Sequence, residues 1–331
     1  IARRVTGLNT GAKLTTRRWY YLIPSSGEPR ALVHTIERDR LNHLPGDKME
    51  YAGHDQLKSG LRSLVNGCAS VAMEFSPECA IPYVSRVDAG TVDAIRTLGV
   101  DVRSSGDLVQ RFEAVWDDAA LANHEAASTA LYTIKDQAFA MVTERIRGGA
   151  TVTEFEVQEA MSAWFKAAGL TSDSRPVVAA QENAGDPHYL PTQERHRIIG
   201  PDEVLLLDLW GKVTTPGAVY ADITWMGYTG GSVPTRYAEA FTVVRGGRDA
   251  AVELVQKAVR DGQSLEGWEV DRVARNNITN AGFGDQFVHR TGHSLGEEVH
   301  GNGVHLDDFE THDNRRLLPG TAVTIEPGIY F

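Results

Sequence analysis

Cysteine is almost missing from this chain: Cys68 and Cys79 are the only two in 331 residues. That excludes a disulfide framework as the source of stability and makes a reducing compartment, the cytoplasm, the expectation. Long apolar runs are missing as well. None approaches the roughly 18–20 residues needed to span a bilayer, and no signal peptide stands at the start, so no membrane is expected among the partners. Positive charge is in deficit, with 33 Lys and Arg against 44 Asp and Glu and a formal net charge of −11. A balance of that sign excludes a general nucleic-acid or anionic-lipid surface. Repeats and low-complexity tracts are also absent. What remains is an ordinary globular composition, 42% hydrophobic and 23% charged, with enough chain for one large or two medium domains.

The pattern along the chain suggests two domains. In residues 1–110 the aromatic run RRWYYLIP and the run ALVHTIE (31–37) flank a turn and predict a hairpin. SVAMEFS (70–76) and VDVRSS predict further strands, and DAGTVDAIRTLG (88–99) predicts a short helix stopped by Gly99. This is a small mixed α/β unit without a catalytic cluster. From 111 to 331 the pattern is α+β. Helical spacing runs from Asp107 to Arg147, and Thr153 with Glu156 has the spacing of a capping box opening the next helix. Strands are expected at PVVAA (176–180), EVLLLDLWGKV (203–213), AVYADITWMG (218–227), FTVV (241–244) and TAVTIEPGIYF. Two more helices are expected at 248–262 and 265–282.

Three carboxylates in the second region sit in apolar strand sequence. Asp208 follows three leucines and is expected at the end of a buried strand. An ionised carboxylate there costs several kcal/mol unless it is paired or binds a metal. Asp222 repeats the feature fourteen residues later, and a hairpin would bring the two acids together. Side by side they raise each other's pKa unless a cation lies between them. Glu326 is the third. The stretch HRTGHSLGEEVH (289–300) adds His289, His293 and His300. His289 and His293 have the i, i+4 spacing of a zincin helix, but Gly292 and Gly296 argue against a helix, and Arg290 stands where HExxH has its glutamate. The stretch therefore reads as strand and loop.

Taken together, LLLDLWG, YADITW, HRTGHSLGEEVH and TIEPGIYF, in that order, resemble the metallopeptidase family of aminopeptidase P, prolidase and methionine aminopeptidase. This is the pita-bread fold, with creatinase as a metal-free relative. ENAGDPHYLP is similar to the family's upstream segment ending in a histidine, and residues 1–110 more loosely resemble the creatinase-type N-terminal domain. The resemblance implies an α+β pita-bread domain at 111–331 that hydrolyses Xaa-Pro bonds with a hydroxide held between two divalent ions. It implies Asp208, Asp222, His293 and Glu326 as metal ligands, with Glu326 also accepting the proton of the attacking water. It places His188, His289 and His300 at the substrate, with His188 and His300 catalytic. Carboxylates with one imidazole favour Mn²⁺, with Co²⁺, Fe²⁺ or Zn²⁺ as other occupants. The expected partners are a peptide with proline in second position and a second copy of the chain in a homodimer.

There are two departures from the family pattern. The interval from Asp208 to Asp222 is longer than usual, and the family's bridging glutamate would fall past Phe331, in keeping with a sequence that opens on Ile1 and ends in a strand-like run. Two other readings stay open here. One is a non-catalytic binding protein on the same fold, which metal stoichiometry would distinguish. The other is a different hydrolase or lyase chemistry on the same site, since fold does not fix reaction.

Overall fold

The computed structural model describes residues 6–7 and 15–331. They divide into two compact units between Phe112 and Glu113.

In the first unit, β1 (Tyr20–Leu22) and β2 (Arg30–His34) form the expected antiparallel hairpin, Tyr20 opposite Leu32. Strand β2 is shorter than the apolar run. At His34 the chain turns into a 3-10 segment, Thr35–Glu37, because the His34 ring accepts the Ile36 N–H. A third strand, β3 (Asp47–Tyr51), adds parallel to β2, and helix α1 (His54–Leu64) follows. Neither is expected from the sequence pattern. β3 is largely exposed and carries alternating charge, so it has no apolar periodicity to read. Strands β4 (Ser70–Met73) and β5 (Asp101–Ser104) pair in parallel, joined by α2 (Ala89–Thr97). Asp88 caps α2 by accepting the Thr91 N–H at 2.9 Å. Leu32, Leu57, Leu61, Val92, Ile95 and Val102 close this core.

Helical spacing expected without interruption from Asp107 to Arg147 is broken. Helix α3 (Gly106–Glu113) stops, and α4 (Asp118–Arg147) starts afresh with Asp117 accepting the Ala120 N–H at 2.8 Å. The Trp116 N–H between them is given to Gly320 O. Helix α5 (Glu154–Ala167) opens on the Thr153–Glu156 capping box. The sheet consists of β6 (Leu170–Thr171), β7 (Val177–Ala180), β8 (Val204–Val213) and β9 (Ala221–Tyr228), with β8 pairing antiparallel to the other three. Its core face joins Leu205, Leu207 and Leu209 to Leu131, Ile134 and Ala138 of α4 and Val157 and Met161 of α5.

Two long helices follow, α6 (Thr235–Asp261) and α7 (Gly267–Asn280). The expected strand FTVV (241–244) lies inside α6. A short apolar run has no period of its own, and the helix formers on both sides decide it. The glycines after it, Gly246 and Gly247, do not end the helix. A Cβ on Gly247 would stand 3.3 Å from Ala274 O, so the glycine lets α6 approach α7 closely. Strand β10 (Ser294–Leu295) pairs with β11 (Ala322–Val323). The expected C-terminal strand is thus only two residues of ladder. Single bonds continue it, Thr324 N–H to His293 O and Glu326 N–H to Thr291 O, up to Pro327, which has no N–H to give. Among the described residues no helix is long and apolar enough to cross a membrane.

Candidate metal centre

Strand alternation builds half of the site. On β8 the odd-numbered leucines face the helices, so Asp208 and Trp210 share the opposite face. Asp208 does not end the strand as expected but is its fifth residue of ten. On β9, Thr224 lies opposite Asp208 and Asp222 opposite Trp210. Asp208 and Asp222 are therefore diagonal neighbours on one face. The other half comes from β10, β11 and their extensions. The 289–300 stretch is loop and two-residue strand, as its glycines suggest, and it brings His293 beside Glu326.

His293 Nε2 lies 3.1 Å from Glu326 Oε1 and 3.4 Å from Asp222 Oδ2. One ligand atom from each of Asp222, His293 and Glu326 can be chosen so that all lie within 4.8 Å of one another. Asp208 stands beside this trio and receives a hydrogen bond from Thr224 Oγ1 at 3.0 Å. The electrostatics are those of a site short of positive charge. Burial, then the charges of Asp222 and Glu326, hold the Asp208 carboxyl well above the usual range. Burial raises Asp222 too, against the hydrogen bond from His293. Burial opposes charge on His293, but the hydrogen bonds and charges of Asp222 and Glu326 prevail and push the imidazole up to about 10. Burial also works against the Glu326 carboxylate, and His293 and the Thr324 hydroxyl outweigh it, holding Glu326 below its ordinary value. Three acids around one imidazole are a donor set that a divalent cation fits, because it supplies the missing charge.

The remaining histidines differ in setting. The His300 ring meets His293 edge to face at 4.3 Å. Burial and the neighbouring charges of His293 and Arg290 lower it to about 4. The His289 ring touches two oxygens, Arg290 O at 2.7 Å through Nδ1 and the Tyr330 hydroxyl at 2.9 Å through Nε2. A carbonyl can only accept, so the proton sits on Nδ1, and Tyr330 donates to Nε2. His188 is not part of the Asp222–His293–Glu326 cluster. Its ring is exposed, on a loop anchored by the buried Glu154, which accepts from Ala180 N–H, Asn183 Nδ2, Tyr189 Oη and Arg197 N–H.

Several residues of the site carried no signal that the sequence reading used. Trp210 could have been found by counting two from Asp208 along the strand. Its indole N–H donates to Asp173 at 2.7 Å. Asp271 and Arg275 on α7 lie four apart and pair at 2.9 Å. Asp271 accepts the Thr291 N–H, and Arg275 donates to Phe287 O and His289 O. This pair fixes the segment from which His289 and His293 project.

The family model of metallopeptidase family M24 matches residues 127–331, more than half of the chain. The chain belongs to metallopeptidase family M24. Among M24 relatives, a probable dipeptidase PepE of Mycobacterium tuberculosis is 26% identical over 94% of this chain and 76% of its own length. A Xaa-Pro dipeptidase of Lactobacillus helveticus is 31% identical over 59% of this chain and 48% of its own. The crystal structure of the dipeptidase PepE from Mycobacterium ulcerans superposes with a TM-score of 0.59 and 22% identity, covering 94% of this chain and 77% of that one. The expected α+β pita-bread fold is therefore the fold of this M24 chain, and M24 enzymes depend on a dinuclear metal centre.

Proposed function

We propose that this M24 chain is a metallo-exopeptidase that hydrolyses Xaa-Pro bonds, with dipeptides the first substrates to try. The observation that carries the reading is the convergence of Asp222, His293 and Glu326, with Asp208 beside them, in an M24 fold. The dipeptidase names of the relatives above support the substrate class. Asp208, Asp222, His293 and Glu326 are assigned as ligands of two divalent ions. Mn²⁺ is favoured because the donors are mostly carboxylate oxygens with a single imidazole. Bound ions would supply activation of water at neutral pH and polarisation of the scissile carbonyl.

The chain's own residues do the rest. Glu326, kept ionised by His293 and Thr324, accepts the water proton through its carboxylate. His300 is uncharged at neutral pH and can donate a ring N–H to the developing oxyanion. His289, its Nδ1–H held by Arg290 O, contacts the substrate from the side of Tyr330. His188 is assigned to the substrate from the loop that Glu154 anchors. A proline nitrogen in the scissile bond has no N–H, so recognition falls on the carbonyl side. Residues 1–110 are assigned as a creatinase-type N-terminal domain, the assembly as a homodimer and the compartment as the cytoplasm. The two unpaired cysteines support the compartment.

The test is incubation of the Mn²⁺-loaded chain with Xaa-Pro dipeptides, Xaa-Pro-Yaa tripeptides and proline-free controls, with products followed by mass spectrometry. Cleavage of dipeptides alone gives the dipeptidase type. Release of the first residue from tripeptides gives the aminopeptidase P type. Cleavage of neither, with metal bound, overturns the substrate class.

A further inference from the structure

Two threonine hydroxyls lie against the acids of the centre, Thr324 at Glu326 and Thr224 at Asp208. Thr324 is 8% exposed. Its Oγ1 accepts the His293 N–H at 2.9 Å and stands 2.8 Å from Glu326 Oε1, against 3.4 Å from His293 O, its other acceptor. A hydroxyl has one hydrogen. With its oxygen already accepting from His293, the hydrogen goes to the nearer acceptor, the carboxylate. The backbone of the same residue donates to His293 O. One threonine thus ties the His293 main chain, at two points, to the Glu326 side chain. Thr224 does the equivalent on the other half of the site, donating to Asp208 Oδ1 at 3.0 Å from the opposite strand. The sequence places both by the same rule: Thr224 is two residues after Asp222 and Thr324 two before Glu326, so each shares a strand face with an acid.

We infer that Thr324 and Thr224 are positioning residues that set which oxygen of Glu326 and of Asp208 is turned to the metal. A free carboxylate rotates and offers either oxygen. A fixed O–H donor occupies one lone pair and removes that freedom before the cation arrives. This inference rests on the assignment of Glu326 and Asp208 as metal ligands, but not on the peptidase substrate.

The test uses the full chain stripped of metal, with Mn²⁺ alone as the probe. Binding is measured by calorimetry, metal content by elemental analysis and thermal stability in chelator. Thr324→Val replaces the hydroxyl by a methyl of the same shape, and Thr324→Ser keeps the hydroxyl. Thr324→Val is expected to weaken Mn²⁺ binding about 10–100-fold, the usual effect of losing an outer partner of a ligand. Thr324→Ser is expected to stay within a few-fold of the parent. Thr224→Val should cost less, under about 10-fold, because Thr224 is exposed and water can take its place. It is also the control should Thr324→Val fail to fold. A purely structural role would lower the melting temperature in chelator and leave Mn²⁺ affinity alone. Parental affinity in both valine variants, or a serine variant as weak as the valine one, overturns the inference. A parent chain that binds Mn²⁺ yet cleaves no Xaa-Pro peptide refutes the substrate reading and leaves this one standing.

Discussion

The two faces of the β8–β9 ribbon share one backbone and have opposite chemistry. One carries Leu205, Leu207, Leu209, Ala221 and Ile223, packed on α4 and α5. The other carries Asp208, Trp210, Asp222 and Thr224. On the first face each side chain gains by leaving water, at about 25 cal/mol per Å² of apolar surface. On the second each carboxylate loses by the same move, and Asp208 shows the loss in its raised pKa. The leucine face stabilises the fold, and that stability offsets the cost of three acids gathered around the single imidazole of His293. The face that costs stability is the one equipped for chemistry.

The largest test of this division is on the acid face. Asp222→Asn keeps shape and removes charge. It is expected to lower activity on Xaa-Pro dipeptides by more than the ~100-fold upper range for an outer partner and to reduce bound metal, read by elemental analysis. Melting temperature in chelator should change less than for a core truncation, since the repulsion removed from Asp208 offsets the attraction removed from His293. Leu207→Ala on the other face should do the reverse. Cavity formation is expected to cost about 2–5 kcal/mol in a denaturant titration, with Mn²⁺ affinity of the folded protein unchanged. If both variants lose metal and stability in the same proportion, the two faces are not independent.

Proton linkage sharpens the comparison. His293 titrates near 10 in the folded chain against an ordinary 6.5. A raised folded pKa contributes stability that is complete below 6.5 and is lost as pH climbs toward 10. The raised Asp208 pKa acts in the same sense from its own ordinary value upward. Without metal, the melting temperature should therefore fall between pH 6.5 and 10, and saturating Mn²⁺ should flatten the fall. Because the cation must displace the His293 proton, its affinity should also rise with pH over that window. An affinity independent of pH would remove His293 from the ligand set. The smallest effect expected is that of Trp210→Phe, which keeps the ring beside Asp222 and loses the N–H to Asp173. Loss of that hydrogen bond should cost no more than about 1.5 kcal/mol and leave metal content as it was.

Much of the site's membership is legible in the chain, because a buried acid in apolar strand sequence is conspicuous. Asp208, Asp222 and Glu326 stand out for that reason, and Gly292 and Gly296 keep the histidine stretch out of a helix. Pattern and structure part where local sequence has no distinctive period. FTVV reads as a strand by itself although its flanks make it helix, and β3 gives no strand signal because its alternation is of charges. His188, placed at the substrate by the family resemblance of ENAGDPHYLP, lies exposed on its loop. Asp271 and Arg275 are not legible as site residues, because an i, i+4 ion pair on a helix is usually a solvated one. Here Asp271 is fully buried and accepts from a backbone twenty residues away.

By itself the sequence determined which residue types are available and, through the two-residue period of a strand, which of them share a face. That period is local and follows from backbone geometry alone. Only the tertiary structure decided which face meets which. His293 and Glu326 belong to segments about thirty residues apart, and Asp222 lies some seventy residues before His293. Their meeting depends on β10 pairing with β11, on the Asp271–Arg275 pair that holds the 287–291 segment, and on the leucine face anchoring β8 to α4 and α5. Such contacts bring together parts of the chain that no short window of sequence spans, so their energies show only once the whole core is assembled.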